Sequence, residues 1–116
     1  MDNYNEPPVY RAAYELTLAV FRFVKDSDKN YRATLGIILE KEALNLEAVI
    51  YRINESGSQE SKAQAIQQAL DSCYQIRMII RLMIDLGIMK IDTNINLNLK
   101  IEETAKQLAG WKKSCQ

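Results

Sequence analysis

No histidine occurs in this chain of 116 residues. That absence removes the commonest general base and the commonest metal ligand. The Glu-x-x-His pairs of di-iron helical bundles are therefore impossible here. The two cysteines, Cys73 and Cys115, have no paired ligand nearby and make no zinc pattern. Both are expected as free thiols, Cys73 as a small apolar residue on a helix and Cys115 in a frayed tail, with a Cys73–Cys115 disulfide as the lesser alternative. Neither a glycine-rich phosphate loop nor a nucleophile elbow can be assembled from the four glycines. Glu40, Glu42, Glu47, Glu102 and Glu103 have a spacing that suits solvated helix faces as well as a carboxylate cluster. The chain reads as a non-enzyme, with no cofactor and no metal.

Charge of one sign is also missing. Fifteen basic residues stand against fifteen acidic ones, so any nucleic-acid contact must come from a local patch or from patches multiplied in an oligomer. Long hydrophobic runs are absent too. The longest is interrupted by Arg77, Arg81 and Asp85, and none approaches the roughly 18 apolar residues that span a bilayer. The start, MDNYNEPPVY, is acidic and polar, unlike a secretory signal. The expectation is a cytoplasmic protein that makes no membrane contact and keeps its thiols reduced.

What is present is helical periodicity. The length suits one domain, with residues 1–7 as an arm and 114–116 as a tail. Pro7 and Pro8 suit the first turn of a helix, and apolar residues then recur at helical spacing from Val9 to Val24. Asp26-Ser27-Asp28 ends that helix. A second runs from Asn30 or Tyr31 to Ile53. Gly36 lies inside it, at a cost of about 1 kcal/mol relative to alanine, which points to close approach of another helix. Asn54 to Ser58 reads as a loop. The third helix starts at Ser58 or Gln59. Its first half is polar, and its second half, from Ile76 to Leu86, is apolar over most of its circumference, which predicts burial against the bundle and against another subunit. Gly87 suits a C-terminal cap. The fourth helix runs from Asp92 or Thr93, either of which can cap it, to Lys112, with Ile95, Leu97, Leu99, Ile101, Ala105, Leu108 and Trp111 as its apolar positions. Four amphipathic helices with short connections make an all-α, antiparallel up-down-up-down four-helix bundle.

Several residues stand out from that pattern. Arg77 and Arg81 share a face at i and i+4 inside the most apolar segment. A guanidinium there can bind phosphate or carboxylate bidentately; an internal ion pair with Asp85, Glu42, Glu47 or Glu103 is the competing reading. Trp111, in Leu108-Ala109-Gly110-Trp111-Lys112-Lys113, reads as the plug at one end of the bundle. Lys106, Lys112 and Lys113 form a modest basic cluster beside it, suited to phosphate or simply to the negative end of the helix dipole. Tyr31, Leu35 and Gly36 read as a packing face. Arg32 is exposed beside them and can join Arg22, Lys25 and Lys29 in a second patch, diluted by Asp26 and Asp28. Tyr10, Tyr14, Tyr51 and Tyr74 fall at core or rim spacing rather than forming a stacking platform, and Tyr4 lies in the arm.

The stretch from Ile76 to Trp111, IRMIIRLMIDLGIMKIDTNINLNLKIEETAKQLAGW, together with Tyr31-Arg32-Ala33-Thr34-Leu35-Gly36, resembles the Avd family, the accessory proteins of diversity-generating retroelements. The resemblance covers the chain from about Tyr10 to Lys113. It implies four-helix protomers assembled as a ring, a homopentamer. It further implies a partner reverse transcriptase, and template RNA or DNA, in the mutagenic copying of a template into a variable gene. Arginines at the positions of Arg77 and Arg81 face a channel or partner surface in that family, and Lys106, Lys112, Lys113 and Arg32 are the weaker candidates. Family members that bind nucleic acid are basic whereas this chain is neutral, so the resemblance implies the reverse transcriptase before RNA. Two alternatives accompany it. Proteins encoded by intervening sequences in 23S ribosomal RNA genes are also small four-helix bundles, but their Ile-Pro-Asn-Ile-Ala-Glu-Gly run is replaced here by LGIILEKEALNLEAVIYRIN. The other is an oligomeric scaffold with no nucleic-acid role.

Overall fold

Every described element is a helix, because the apolar spacing is helical throughout and the only sharp breaks carry turn chemistry. The computed structural model describes residues 7–115. Tyr4, the rest of the arm 1–6 and Gln116 lie outside the described residues. Helix α1 is Pro8–Lys25. Helix α2 comprises Lys29–Tyr31, a π-helical turn at Arg32–Gly36, and Ile37–Ile53. Helix α3 is Gln59–Asp85 and helix α4 is Ile91–Ser114. Each packs on its neighbours in the cyclic order α1–α2–α3–α4–α1, the up-down-up-down arrangement expected of short connections. The body measures 44 × 29 × 22 Å.

Local chemistry sets the ends. Asp28 caps α2 by accepting from the Asn30 backbone N–H at 2.9 Å, and Ser58 caps α3 by accepting from the Ser61 N–H at 3.0 Å. After α3 the chain reverses at Gly87, whose φ is +75°. The Gly87 N–H donates to Ile84 O at 3.0 Å and the Ile88 N–H to Met83 O at 2.8 Å. This is the paired bonding of a Schellman turn, which favours glycine. The start of α4 departs from expectation. Its cap position is Lys90, with no side-chain bond, and Asp92 lies within the first turn, where its charge favours the positive helix end without capping it.

The core is aliphatic: Leu16, Leu39, Leu46, Ile50, Ile66, Ile76, Ile80, Leu97, Ile101 and Leu108 are fully buried. Three adjacent helix pairs are also joined by polar bonds. Asn54 donates to the Tyr10 hydroxyl at 2.6 Å, the Ser72 hydroxyl to Glu42 Oε2 at 2.8 Å, and Lys112 Nζ to Gln67 Oε1 at 2.6 Å. Gly36 is buried where α1 crosses α2. A Cβ there would lie 2.8 Å from Val24 Cγ1 and 3.1 Å from the Tyr31 carbonyl oxygen, so the close approach expected at this glycine is present.

Other expectations are corrected. Ile95 and Leu99, apolar positions of the fourth helix, are not core residues: they are 53% and 61% exposed. The second half of α3 is not buried all round, since Met78, Leu82 and Leu86 face outward. Of the described tyrosines only Tyr10 is in the core. Tyr14, Tyr51 and Tyr74 are more than half exposed, because the aliphatic side chains fill the interior without them. Tyr51 still lies against Tyr10, ring centroids 4.7 Å apart. Cys115 is not frayed: α4 extends through Ser114, and Cys115 packs half-buried on the core as a free thiol.

Candidate binding surface

The arginine row arises from helix geometry acting on the core. On α3 the buried residues Cys73, Ile76, Ile80 and Met83 fix which face turns inward. Positions 77 and 81 then rotate to the margin and the outside. Arg77 is half-buried and Arg81 is exposed. Among the described residues no ion pair joins either guanidinium to a carboxylate; the one salt bridge found there links Arg11 to Glu15 at 3.7 Å. The internal partners considered for the arginines do not take that role. Glu42 accepts from Ser72 and Asn45, Glu103 from Gln107, and Asp85 is exposed.

Cys73 lies one turn before Arg77 on the same row. Burial pushes its thiol from 9.0 up to about 12, and the Arg77 charge pulls the other way without overcoming it. The thiol therefore stays protonated at neutral pH and is no nucleophile.

The other sequence candidates do not join this row. Lys106 and Lys113 are exposed, near the end of the bundle where α4 finishes. Lys112 is half-buried and held by Gln67 on α3. Trp111 is half-buried against the core at that same end, beside an open hollow of about 520 Å³ lined by Pro7, Pro8, Val9, Asn54, Lys106, Gln107 and Gly110. Arg32 is exposed on the π turn, at the opposite end, because α2 starts where α4 starts and both run away from it. Lys106, Lys112 and Lys113 thus lie at one end of the bundle and Arg32 at the other.

Two features were not anticipated from sequence. A groove of about 900 Å³ runs between α1 and α4, with Glu15, Arg22, Asp26, Lys90 and Lys100 among its lining. Its mixed charge matches no simple ligand. The second is a row of exposed aliphatics on α4, Ile91, Ile95 and Leu99. Spacing by four would have found it, since a helix whose core row is Leu97, Ile101, Thr104 and Leu108 turns positions 91, 95 and 99 outward. Among the described residues, no group of three acidic or thiol side chains gathers closely enough to hold a metal ion, and no helix is long and apolar enough to cross a membrane.

Fold and surface together define an antiparallel four-helix bundle carrying two arginines on α3 that form no ion pair among the described residues. No family model matches the chain and no curated protein matches it.

Proposed function

We propose that this chain is a non-catalytic accessory protein of the diversity-generating retroelement kind, which binds the element's reverse transcriptase and its template RNA as a cytoplasmic homopentameric ring. The observation that carries the reading is the pair Arg77 and Arg81, one turn apart on α3 and without an ion-pair partner among the described residues. Two guanidinium groups at that spacing suit phosphates or carboxylates of a partner. The Avd-like run from Ile76 to Trp111 supplies the identity of that partner. In a ring, each weak contact is repeated by every subunit, so modest single-site attraction becomes avidity. The scaffold alternative has its own support in the exposed aliphatic rows on α3 and α4, which need no nucleic acid. The polymerisation chemistry belongs to the reverse transcriptase in this reading.

The test is capture of the enzyme and its RNA by the tagged protein over a salt series, with Arg77→Ala/Arg81→Ala alongside. Loss of capture is expected. If both arginines meet single-stranded phosphates, the log–log salt slope for RNA falls by roughly 1.4. Unchanged capture and an unchanged slope would remove the arginines from the site and favour the scaffold reading.

A further inference from the structure

We infer that the hollow beside Trp111 is a binding site for a small aromatic carboxylate. The start of α1, Asn54 after α2, and Lys106, Gln107, Gly110 and Trp111 on α4 wall it. Its volume of about 520 Å³ falls within the range of small-molecule pockets, roughly 300–1,000 Å³.

Gly110 carries the argument. A glycine inside a helix lowers its stability relative to alanine. Gly36 has a reason, the close approach of Val24, and so has Gly87, whose φ is +75°. Gly110 has neither: its φ is not positive, and a Cβ there would meet nothing within 4 Å. Packing and backbone conformation therefore do not call for it. What the missing side chain leaves is space. Positions 106, 107, 110 and 111 form one stripe of α4, being three and four residues apart, and all four line the hollow. A side chain at 110 would stand in it between Lys106 and Trp111.

The walls set the ligand. The rings of Pro7 and Pro8 and the half-buried indole of Trp111 are flat apolar surfaces, suited to an aromatic body. The polar groups select the head. The amide nitrogen of Asn54 is engaged with the Tyr10 hydroxyl, and that of Gln107 with Glu103. Lys106 is the one charged residue of the lining, and neither its ammonium nor the Trp111 indole N–H makes a hydrogen bond among the described residues. A carboxylate, which only accepts, matches two such donors. The charges that adjoin the lining along the chain are Glu102, Glu103, Glu55, Arg11, Lys112 and Lys113, with Glu6 outside the described residues. Glu103 is turned to Gln107, Lys112 to Gln67 and Arg11 to Glu15, so Lys106 sets the sign within the hollow. The positive end of α1, with no acidic residue in its first turn, adds to it. The inference does not rest on the retroelement reading, since it needs neither a reverse transcriptase nor nucleic acid.

The chain has one tryptophan, so isotope-labelled protein gives a single indole N–H resonance, and titration with naphthoate, beside uncharged naphthamide, tests the site. Saturable shifts of the Trp111 indole and Gly110 amide resonances are expected, with a Kd for naphthoate of about 1 mM or below. Lys106→Ala is expected to weaken naphthoate about threefold, as loss of an exposed ion pair does, and to leave naphthamide unchanged. Gly110→Leu is expected to abolish binding of both while keeping the helical circular dichroism. Leu44→Glu, on an exposed apolar position of α2, is expected to change neither affinity. The absence of saturable shifts at both resonances overturns the inference. So does a Gly110→Leu protein that binds as the wild type does, and so does loss of binding in folded Leu44→Glu. Equal affinity for naphthoate and naphthamide overturns the carboxylate assignment.

Discussion

Two glycines in helices should respond to alanine with opposite signs. In both, alanine gains about 1 kcal/mol of intrinsic helix propensity. At Gly110 that gain is unopposed, since a Cβ there meets nothing within 4 Å; Gly110→Ala should stabilise by about 0.5–1 kcal/mol. At Gly36 the same Cβ would lie 2.8 Å from Val24 Cγ1 and 3.1 Å from the Tyr31 carbonyl oxygen. Val24 is buried and, being β-branched, is stiff about χ1, while the carbonyl is backbone. Neither yields freely, and overpacking of this kind costs about 1–3 kcal/mol. Gly36→Ala should therefore be net destabilising by about 1 kcal/mol, leaving a difference of about 2 kcal/mol between the two variants. In a domain of this size that difference separates their Tm values by about 6–12 °C, measurable by thermal circular dichroism if unfolding is two-state. Val24→Ala supplies a control: in that background the cost of Gly36→Ala should shrink, a coupling visible in a double-mutant cycle. A Gly36→Ala protein as stable as Gly110→Ala would refute the reasoning and show that the α1–α2 crossing relaxes without loss.

Cys73 gives a pH dependence. Its thiol binds the proton more tightly in the fold (about 12) than at the ordinary value of 9.0, so its contribution is fully present below pH 9 and is lost as pH rises from 9 toward 12. Chemical denaturation across that window should show stability falling, and falling less steeply in Cys73→Ala; parallel slopes would contradict this. In the native protein at pH 8, a thiol reagent should modify Cys115 well before Cys73, and equal rates would mean the α3 face opens. Ser58→Ala should cost about 1 kcal/mol by removing the cap on the Ser61 N–H, read as a shift in urea midpoint at constant m. Gly87→Ala should cost about 1–2 kcal/mol, because φ of +75° places a Cβ against the following carbonyl.

The helices and their order were legible because their signals are local. Proline before Val9, Asp28, Ser58 and Gly87 each act within one turn of chain, and each lies where the structure starts or stops a helix. Gly36 was also legible, since a mid-helix glycine at the cost of lost propensity has few uses besides close contact. The start of α4 was misplaced because Asp92 and Thr93 carry good capping side chains, yet the chain leaves the Gly87 turn in extended form only at Lys90, and the helix begins directly after it. The π turn at Arg32–Gly36 has no composition of its own in this sequence.

The candidate surface was legible only in part. That Arg77 and Arg81 share a face follows from their spacing by four. That they form no ion pair among the described residues does not, since Asp85, Glu42, Glu47 and Glu103 were all within reach on paper, and side-chain positions decided the matter. The two aliphatic rows show the same limit. Composition dictated a surplus of leucine and isoleucine on α3 and α4, and periodicity dictated helices. Which of those residues turned inward depended on the rotation of each helix about its axis. That rotation is fixed jointly by all four cores: Leu97 and Ile101 reach the centre of the bundle only if Ile95 and Leu99 turn away from it, a choice that no helix makes alone.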